Sequence, residues 1–172
     1  MKRYFFKTIL ILLSTGLFVN GYAEEGHFEQ LDAHVHGEAR LNLVLEGTQI
    51  MVEMETPAAN VLGFEHNPRN DEQKQLLNTA LGIFRQSKNI FKFHGGNCRQ
   101  SEFEKEIHEI KTHMEFHFRY LFDCQSIDSL KQIEMKLFDQ FPRFDMIEAQ
   151  WIFLSGQGTT NLDPRNRLIK VK

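Results

Sequence analysis

The sequence predicts an α+β fold, a single domain in which an antiparallel sheet carries two helices packed on one face. Apolar and polar residues alternate with a period of two in several stretches, which is typical of half-buried strands. Two other stretches carry an apolar stripe at helical spacing. The chain has 172 residues and no repeat, low-complexity tract or linker rich in proline and glycine, so we expect one domain.

Alternation predicts the strands, and the first two are close enough to form a hairpin that ends at Pro57. The predicted strands are residues 35–45, 50–54, 90–93, 113–124, 147–153 and 167–171. The charged stretch 101–110 is ambiguous, and Ser155-Gly156-Gln157-Gly158 is expected to be a loop. The predicted sheet is therefore built mainly from short alternating segments.

Two helices are predicted from stripe and cap signals. Asn70 or Asp71 can cap a helix that runs to about Ser87. Ser126 or Asp128 can cap a second helix that runs to about Phe141, where Pro142 stops it. Residues 57–69 show neither period, so we expect an irregular segment between the hairpin and the first helix.

The first 23 residues have the three parts of a cleavable secretory signal peptide. A basic start precedes an apolar segment at residues 8–19, and Gly21-Tyr22-Ala23 supplies small residues at the cleavage position. The apolar segment is shorter than the about 20 residues that span a bilayer, and a short uncleaved anchor is the alternative. We expect cleavage after Ala23 and an exported, soluble mature chain of residues 24–172.

Loss of the signal peptide makes the chain more acidic. The whole chain has 20 Lys and Arg against 23 Asp and Glu, a formal charge of −3. Cleavage removes Lys2, Arg3 and Lys7 but no acidic residue, so the mature chain carries −6. This balance argues against binding to nucleic acid or anionic membrane and favours binding of cations.

Histidines occur in two clusters at ligand spacing. His34 and His36 form a His-x-His pair, and His113, Glu115 and His117 follow each other at period two. On strands, each cluster would place its side chains on one face, where imidazole and carboxylate groups can bind zinc. The alternative is that these faces are merely solvated. If the two strands are neighbours, the four rings should converge on one ion.

A third candidate is His66, which Glu65 precedes in the irregular segment, although a histidine in such a loop often makes an ordinary polar contact. We expect no enzymatic activity, because the chain lacks Gly-x-Ser-x-Gly, His-Glu-x-x-His and a phosphate-binding glycine-rich loop. A hydrolytic zinc centre stays open as an alternative, since catalytic sites also use three protein ligands. Cys98 and Cys124, in an exported chain, are expected to form a disulfide, with metal ligation or free thiols as alternatives.

Several segments together resemble the ZrgA-like family of zinc-regulated periplasmic zinc-binding proteins. The segments are Ala33-His34-Val35-His36-Gly37, Leu41-Asn42-Leu43, Pro57-Ala58-Ala59-Asn60, Gly63-Phe64-Glu65-His66-Asn67-Pro68, His113-Met-Glu-Phe-His117 and Gln150-Trp151-Ile152 with Ser155-Gly156-Gln157-Gly158. The resemblance spans residues 31–168 and includes both cysteines. It implies periplasmic zinc binding, a part in zinc transport and homeostasis, and delivery of the ion to a transporter such as a zinc ABC transporter component.

One departure from the family concerns histidine content. Family members commonly carry a run of His alternating with Asp, Glu and Gly in mid-chain, where this chain has Glu102–Lys111 with His108 alone. The departure puts buffering of several ions per chain in doubt. Two hypotheses follow: a periplasmic zinc-binding protein that delivers zinc through the sites named above, or an envelope structural or interaction protein without a specific metal role.

Overall fold

The computed structural model describes residues 35–110 and 113–171. The predicted signal peptide and His34 lie outside these residues. Within the described ranges, none of the helices combines the length and the apolar character needed to cross a membrane.

Nine strands and three helices make up the described chain. The strands are β1 (Glu38–Glu46), β2 (Gln49–Pro57), β3 (Phe91–His94), β4 (Gly96–Ile110), β5 (His113–Ser126), β6 (Gln132–Met135), β7 (Met146–Phe153), β8 (Gly156–Leu162) and β9 (Leu168–Lys170). The helices are α1 (Ala58–Leu62), α2 (Asp71–Arg85) and α3 (Leu137–Gln140). Single 3₁₀ turns occur at Ser87–Asn89 and Ile127–Ser129.

The strands form a six-stranded sheet of order β4-β5-β2-β1-β7-β8 and a three-stranded sheet of order β3-β6-β9. All neighbours in the large sheet are antiparallel except β1 and β7, which run parallel. The hairpin β4–β5 is the longest pairing, from Gly96 opposite Ser126 to Ile110 opposite His113, with a bulge between Gln100 and Glu102. Strand β2 lies between β1 and β5.

One face of the large sheet packs into the core. On β5 the inward side chains alternate strictly and are buried, namely Met114, Phe116, Phe118, Tyr120, Phe122 and Cys124. Helix α2 covers them through Phe84, whose ring stacks on Phe118 at 4.0 Å, and Tyr120 donates a hydrogen bond to the Phe84 carbonyl at 2.8 Å. The small sheet packs there too, with Phe91 edge-on to Tyr120 at 5.3 Å. The opposite face carries most of the polar residues of β1, β2 and β5.

The prediction of a second long helix is wrong. Residues 126–141 form a 3₁₀ turn, strand β6 and the single turn α3 instead. Ile133 and Met135 are buried and alternate with Gln132 and Glu134, so these residues pair as a strand with β3 and β9. The described chain is therefore richer in strand than the predicted antiparallel sheet with two packed helices, and its large sheet is mixed.

Other predictions differ in smaller ways. Helix α2 is confirmed, with Asn70 as its N-cap accepting from the Gln73 amide at 2.9 Å. Residues 57–69 are not wholly irregular, because α1 begins at Ala58. The charged stretch 101–110 belongs to β4, and the expected loop at 155–158 contains the start of β8.

Cys98 and Cys124 lie opposite each other on β4 and β5 and form a disulfide. The bridge joins residues that are 26 positions apart, near the end of the hairpin farthest from its tip. It fixes the register of the two strands before the charged stretch begins.

Replacing both cysteines by alanine is expected to lower the free energy of unfolding by about 3 kcal/mol, because the unfolded chain regains the entropy that a loop of this length loses. Urea unfolding of the oxidised parent and the double variant measures the difference. Thiol titration of the unfolded, unreduced parent should find no free thiol. Two free thiols, or equal unfolding midpoints, would contradict the assignment.

Candidate metal site

The chain enters β1 through a tight turn at His36 and Gly37. Gly37 has φ +85°, and a Cβ at this position would lie 2.2 Å from Oδ2 of Asp145, so only glycine fits here. Its carbonyl accepts from the amides of Asp145 at 2.8 Å and Met146 at 3.1 Å. His36 therefore belongs to a turn that is hydrogen-bonded to the start of β7. The alternation had predicted that His36 lies on strand β1, which instead begins at Glu38.

Asn60, on α1, holds this turn from the other side. Its side chain is buried, accepts from the Gly37 amide at 2.7 Å, and donates to the Glu38 carbonyl at 2.7 Å and to Thr56 Oγ1 at 3.1 Å. These bonds tie α1 to the first residues of β1 and to the end of β2. The helix and the His36 turn therefore keep a fixed spacing.

Helix α1 is short because Gly63 ends it. Gly63 adopts a left-handed φ of +82° and donates its amide to the Ala59 carbonyl at 2.8 Å, the usual glycine stop of a helix. The chain then turns across the end of the sheet. This path places Glu65 next to the His36 turn and next to His113, the first residue of β5.

Glu65 contacts two of the predicted imidazoles at once. One carboxylate oxygen hydrogen-bonds Nε2 of His36, and the other hydrogen-bonds Nδ1 of His113. The side chain of Glu65 is 19% exposed, whereas the rings are 69% and 56% exposed. The structure thus brings together three of the predicted ligands from three separate segments of the chain.

The two rings also set the charge state of Glu65. Partial burial raises the pKa of its carboxyl, but the hydrogen bonds and charges of His36 and His113 lower the pKa by more. The net shift is downward, so the carboxylate is ionised over a wider pH range than an isolated glutamate. An ionised carboxylate between two imidazoles is a donor set that zinc accepts.

His66 lies beside this cluster. Its Nδ1–H donates to the Asn67 carbonyl at 2.8 Å and its ring stacks on Phe64 at 4.9 Å. In a neutral ring held this way, Nε2 keeps its lone pair, and such a bond to a carbonyl is how proteins orient metal-binding histidines. His66 lines one open depression of about 730 Å³ with His36 and Glu65.

His117 and Glu115 form a separate group. His117 Nε2 lies 3.3 Å from a Glu115 oxygen, and Nδ1 lies 3.7 Å from a Glu55 oxygen. The condition under which the four rings were expected to converge, that the two strands are neighbours, is not met, because β2 separates β1 from β5. His34, the remaining predicted ligand, lies outside the described residues.

Three residues near His117, namely Glu55, Glu106 and His108, were not among the predicted ligands. His108, whose ring stacks on His117 at 4.3 Å, donates to Glu106 at 3.0 Å, and Glu55 is the β2 partner of His117. The sequence did carry a signal for β4, because charged residues alternate with a period of two at Glu102, Glu104, Glu106 and His108. This pattern is typical of a strand with one charged face.

In the part of the chain that the structure describes, no group of three or more His, Cys, Asp or Glu side chains is already arranged to hold a metal ion. The ligand atoms of Glu65, His36 and His113 hydrogen-bond each other instead. Zinc binding at this cluster therefore requires the carboxylate and the rings to turn toward a common ion.

A family model described as ZrgA family zinc uptake protein matches residues 33–171. The chain belongs to the ZrgA family. No curated protein matches the sequence. The match to the ZrgA model begins just before the His36 turn and continues through β9, so it includes every residue of the His36, Glu65 and His113 cluster. Zinc uptake is the role that the description of this family names.

Replacing Asn60 by alanine should lower the free energy of unfolding by about 2–4 kcal/mol, because the buried Gly37 amide and the part-buried Glu38 carbonyl lose their partners. Asn67, seven residues further along the chain and exposed, provides the control, and N67A should change the free energy by less than about 0.5 kcal/mol. Urea unfolding measures both. Equal stability of N60A and N67A would mean that Asn60 does not hold the His36 turn.

Proposed function

We propose that this protein captures a zinc ion in the periplasm through His36, Glu65 and His113 and passes the ion to a transporter, with a zinc ABC transporter component as the partner. The observation that carries the proposal is the contact of one carboxylate, Glu65, with two imidazoles from distant segments. Membership of a zinc uptake family supports zinc as the cargo.

The donor chemistry favours zinc over other common divalent ions. Two imidazole nitrogens and one carboxylate oxygen can surround zinc at about 2.0–2.2 Å, leaving a fourth position. Magnesium and calcium prefer sites built mostly from oxygen. Copper(II) binds nitrogen donors at least as tightly, so selection for zinc in the cell would depend on geometry and metal supply.

The setting of the cluster suits a site that releases its ion. Both rings are more than half exposed, and the depression beside them is open to solvent. A partner can therefore approach the ion and replace its ligands one at a time, which an ion enclosed by the core would prevent. His66 and His34 are the candidates for the fourth ligand, and a water molecule is the other candidate.

Export is part of the proposal. The signal peptide of residues 1–23 would deliver the chain to the periplasm, where the Cys98–Cys124 disulfide is stable. The formal charge of −6 after cleavage raises the local concentration of cations around the protein. We propose a binding role and not catalysis, since capture and release need no group beyond the ligands themselves.

The other candidate is an envelope structural or interaction protein whose histidines only form polar contacts. Under that alternative, the His36, Glu65 and His113 contacts would stabilise the end of the sheet and zinc would bind weakly if at all. Zinc titration of the metal-free parent protein separates the two functions.

We expect metal-free parent protein to bind zinc tightly, and the double variant H36A/H113A to lose this binding because only one ligand of the cluster is left. The single variant E65Q should bind about tenfold more weakly or worse, because the amide is uncharged. Calorimetric titration against a competing chelator measures the affinities. Circular dichroism checks that the variants are folded.

His94 provides the matched control. It donates to Glu134 at 2.8 Å on the small sheet and is 31% exposed, so the two form another partly exposed His–Glu pair, away from the Glu65 cluster. H94A should bind zinc as the parent does. Tight zinc binding that persists in H36A/H113A and in E65Q would place the site elsewhere.

A further inference from the structure

The outer face of β2, β5 and β4 carries two consecutive rows of side chains with the same arrangement. In the first row, Arg119 on β5 lies between Glu53 on β2 and Glu104 on β4, with ion pairs of 2.9 and 2.8 Å. In the second row, the residues in the equivalent register positions are Glu55, His117 and Glu106. A histidine thus replaces the arginine between two glutamates.

The substitution changes the charge of the row. A guanidinium is permanently protonated and satisfies both carboxylates of its row, whereas an imidazole is cationic only when it gains a proton. Arg40 and Glu148 continue the second row across β1 and β7, and Arg40 lies opposite both Glu55 and Glu148. The second row therefore holds three carboxylates and one permanent positive charge, so it has a net excess of two negative charges when His117 is neutral.

The atoms around His117 leave room for a cation. Nδ1 of His117 lies 3.7 Å from Oε1 of Glu55, too far for a hydrogen bond. Two ligand atoms on one zinc ion are about 3–4 Å apart, given bond lengths of about 2.0–2.2 Å. A cavity of about 100 Å³ opens at this point and is lined by both rows, including Glu55, Glu106 and His117.

The neighbouring groups orient these side chains. His108 stacks on the His117 ring at 4.3 Å and donates to Glu106 at 3.0 Å, which also lowers the pKa of the Glu106 carboxyl. On the other side of the ring, Nε2 of His117 faces Glu115 at 3.3 Å. A carboxylate behind one ring nitrogen is the arrangement that directs the other nitrogen toward a metal ion.

We propose that Glu55, Glu106 and His117 form a second site for zinc or a similar divalent transition-metal ion, with His108 and Glu115 as positioning residues. The site offers one imidazole among its three ligands, where the Glu65 cluster offers two, and its ligand atoms are not gathered around a point, so it should be weaker than the site at Glu65. It stands on residues that the first site does not use. Its existence therefore does not depend on the proposed function.

Zinc stoichiometry tests this proposal. Metal-free parent protein titrated with zinc alone should bind two equivalents with different affinities. E106Q and H117N should each lose the weaker equivalent and keep the tighter one. H36A/H113A should lose the tighter equivalent and keep the weaker one, so failure of either site is seen separately.

Glu104 supplies the matched control, because it lies two residues from Glu106 on the same strand and face but belongs to the Arg119 row. E104Q should bind two equivalents like the parent. The proposal is overturned if the parent binds one equivalent, or if E106Q and H117N both bind two as tightly as the parent. Loss of the weaker equivalent in E104Q would also overturn it, since zinc binding would then not be specific to the row that contains His117.

Discussion

The buried side chain of Asn60 is the contact on which the arrangement of the candidate site depends. It joins the Gly37 turn, the first residue of β1 and the end of β2 through three hydrogen bonds. Without it, α1 would have no fixed position over the sheet, and Glu65, five residues later, would have no reason to meet His36. Gly37 and Gly63 adopt left-handed conformations, and these allow the His36 turn and the end of α1 to lie close together.

The two faces of the six-stranded sheet have different roles. The inner face packs into the core and stabilises the fold, and the outer face carries the candidate metal ligands. Aromatic side chains of β5 fill the inner face under α2 and the small sheet, so the strand register is strongly fixed. The same register also fixes which residues the polar side chains of β5 face on the outer side of the sheet. His113 consequently meets Glu65 at the strand end, while His117, four residues on, faces Glu55 and Glu106. Two donor groups thus result from one rigid strand.

The sequence predicted what depends on local pattern and could not predict what depends on partners. The alternation of β5 and the capped stripe of α2 were recognisable because each carries its own period. Residues 126–141 were wrongly predicted to be a helix, because Ile133 and Leu137 fit a helical stripe as well as strand alternation. Pairing with β3 makes residues 132–135 a strand. The insertion of β2 between β1 and β5, the parallel β1–β7 pair and the bridging position of Glu65 all arise from long-range contacts. No local spacing encodes them.

Zinc binding between His36, Glu65 and His113 is the proposal on which the function of this protein rests. Anomalous diffraction at the zinc absorption edge, from crystals of the mature protein grown with one equivalent of zinc, tests it most directly. We expect the strongest anomalous peak to lie within about 2.0–2.2 Å of a ligand atom from each of these three residues. A strongest peak elsewhere, with Glu65 still hydrogen-bonded to both rings, would contradict it.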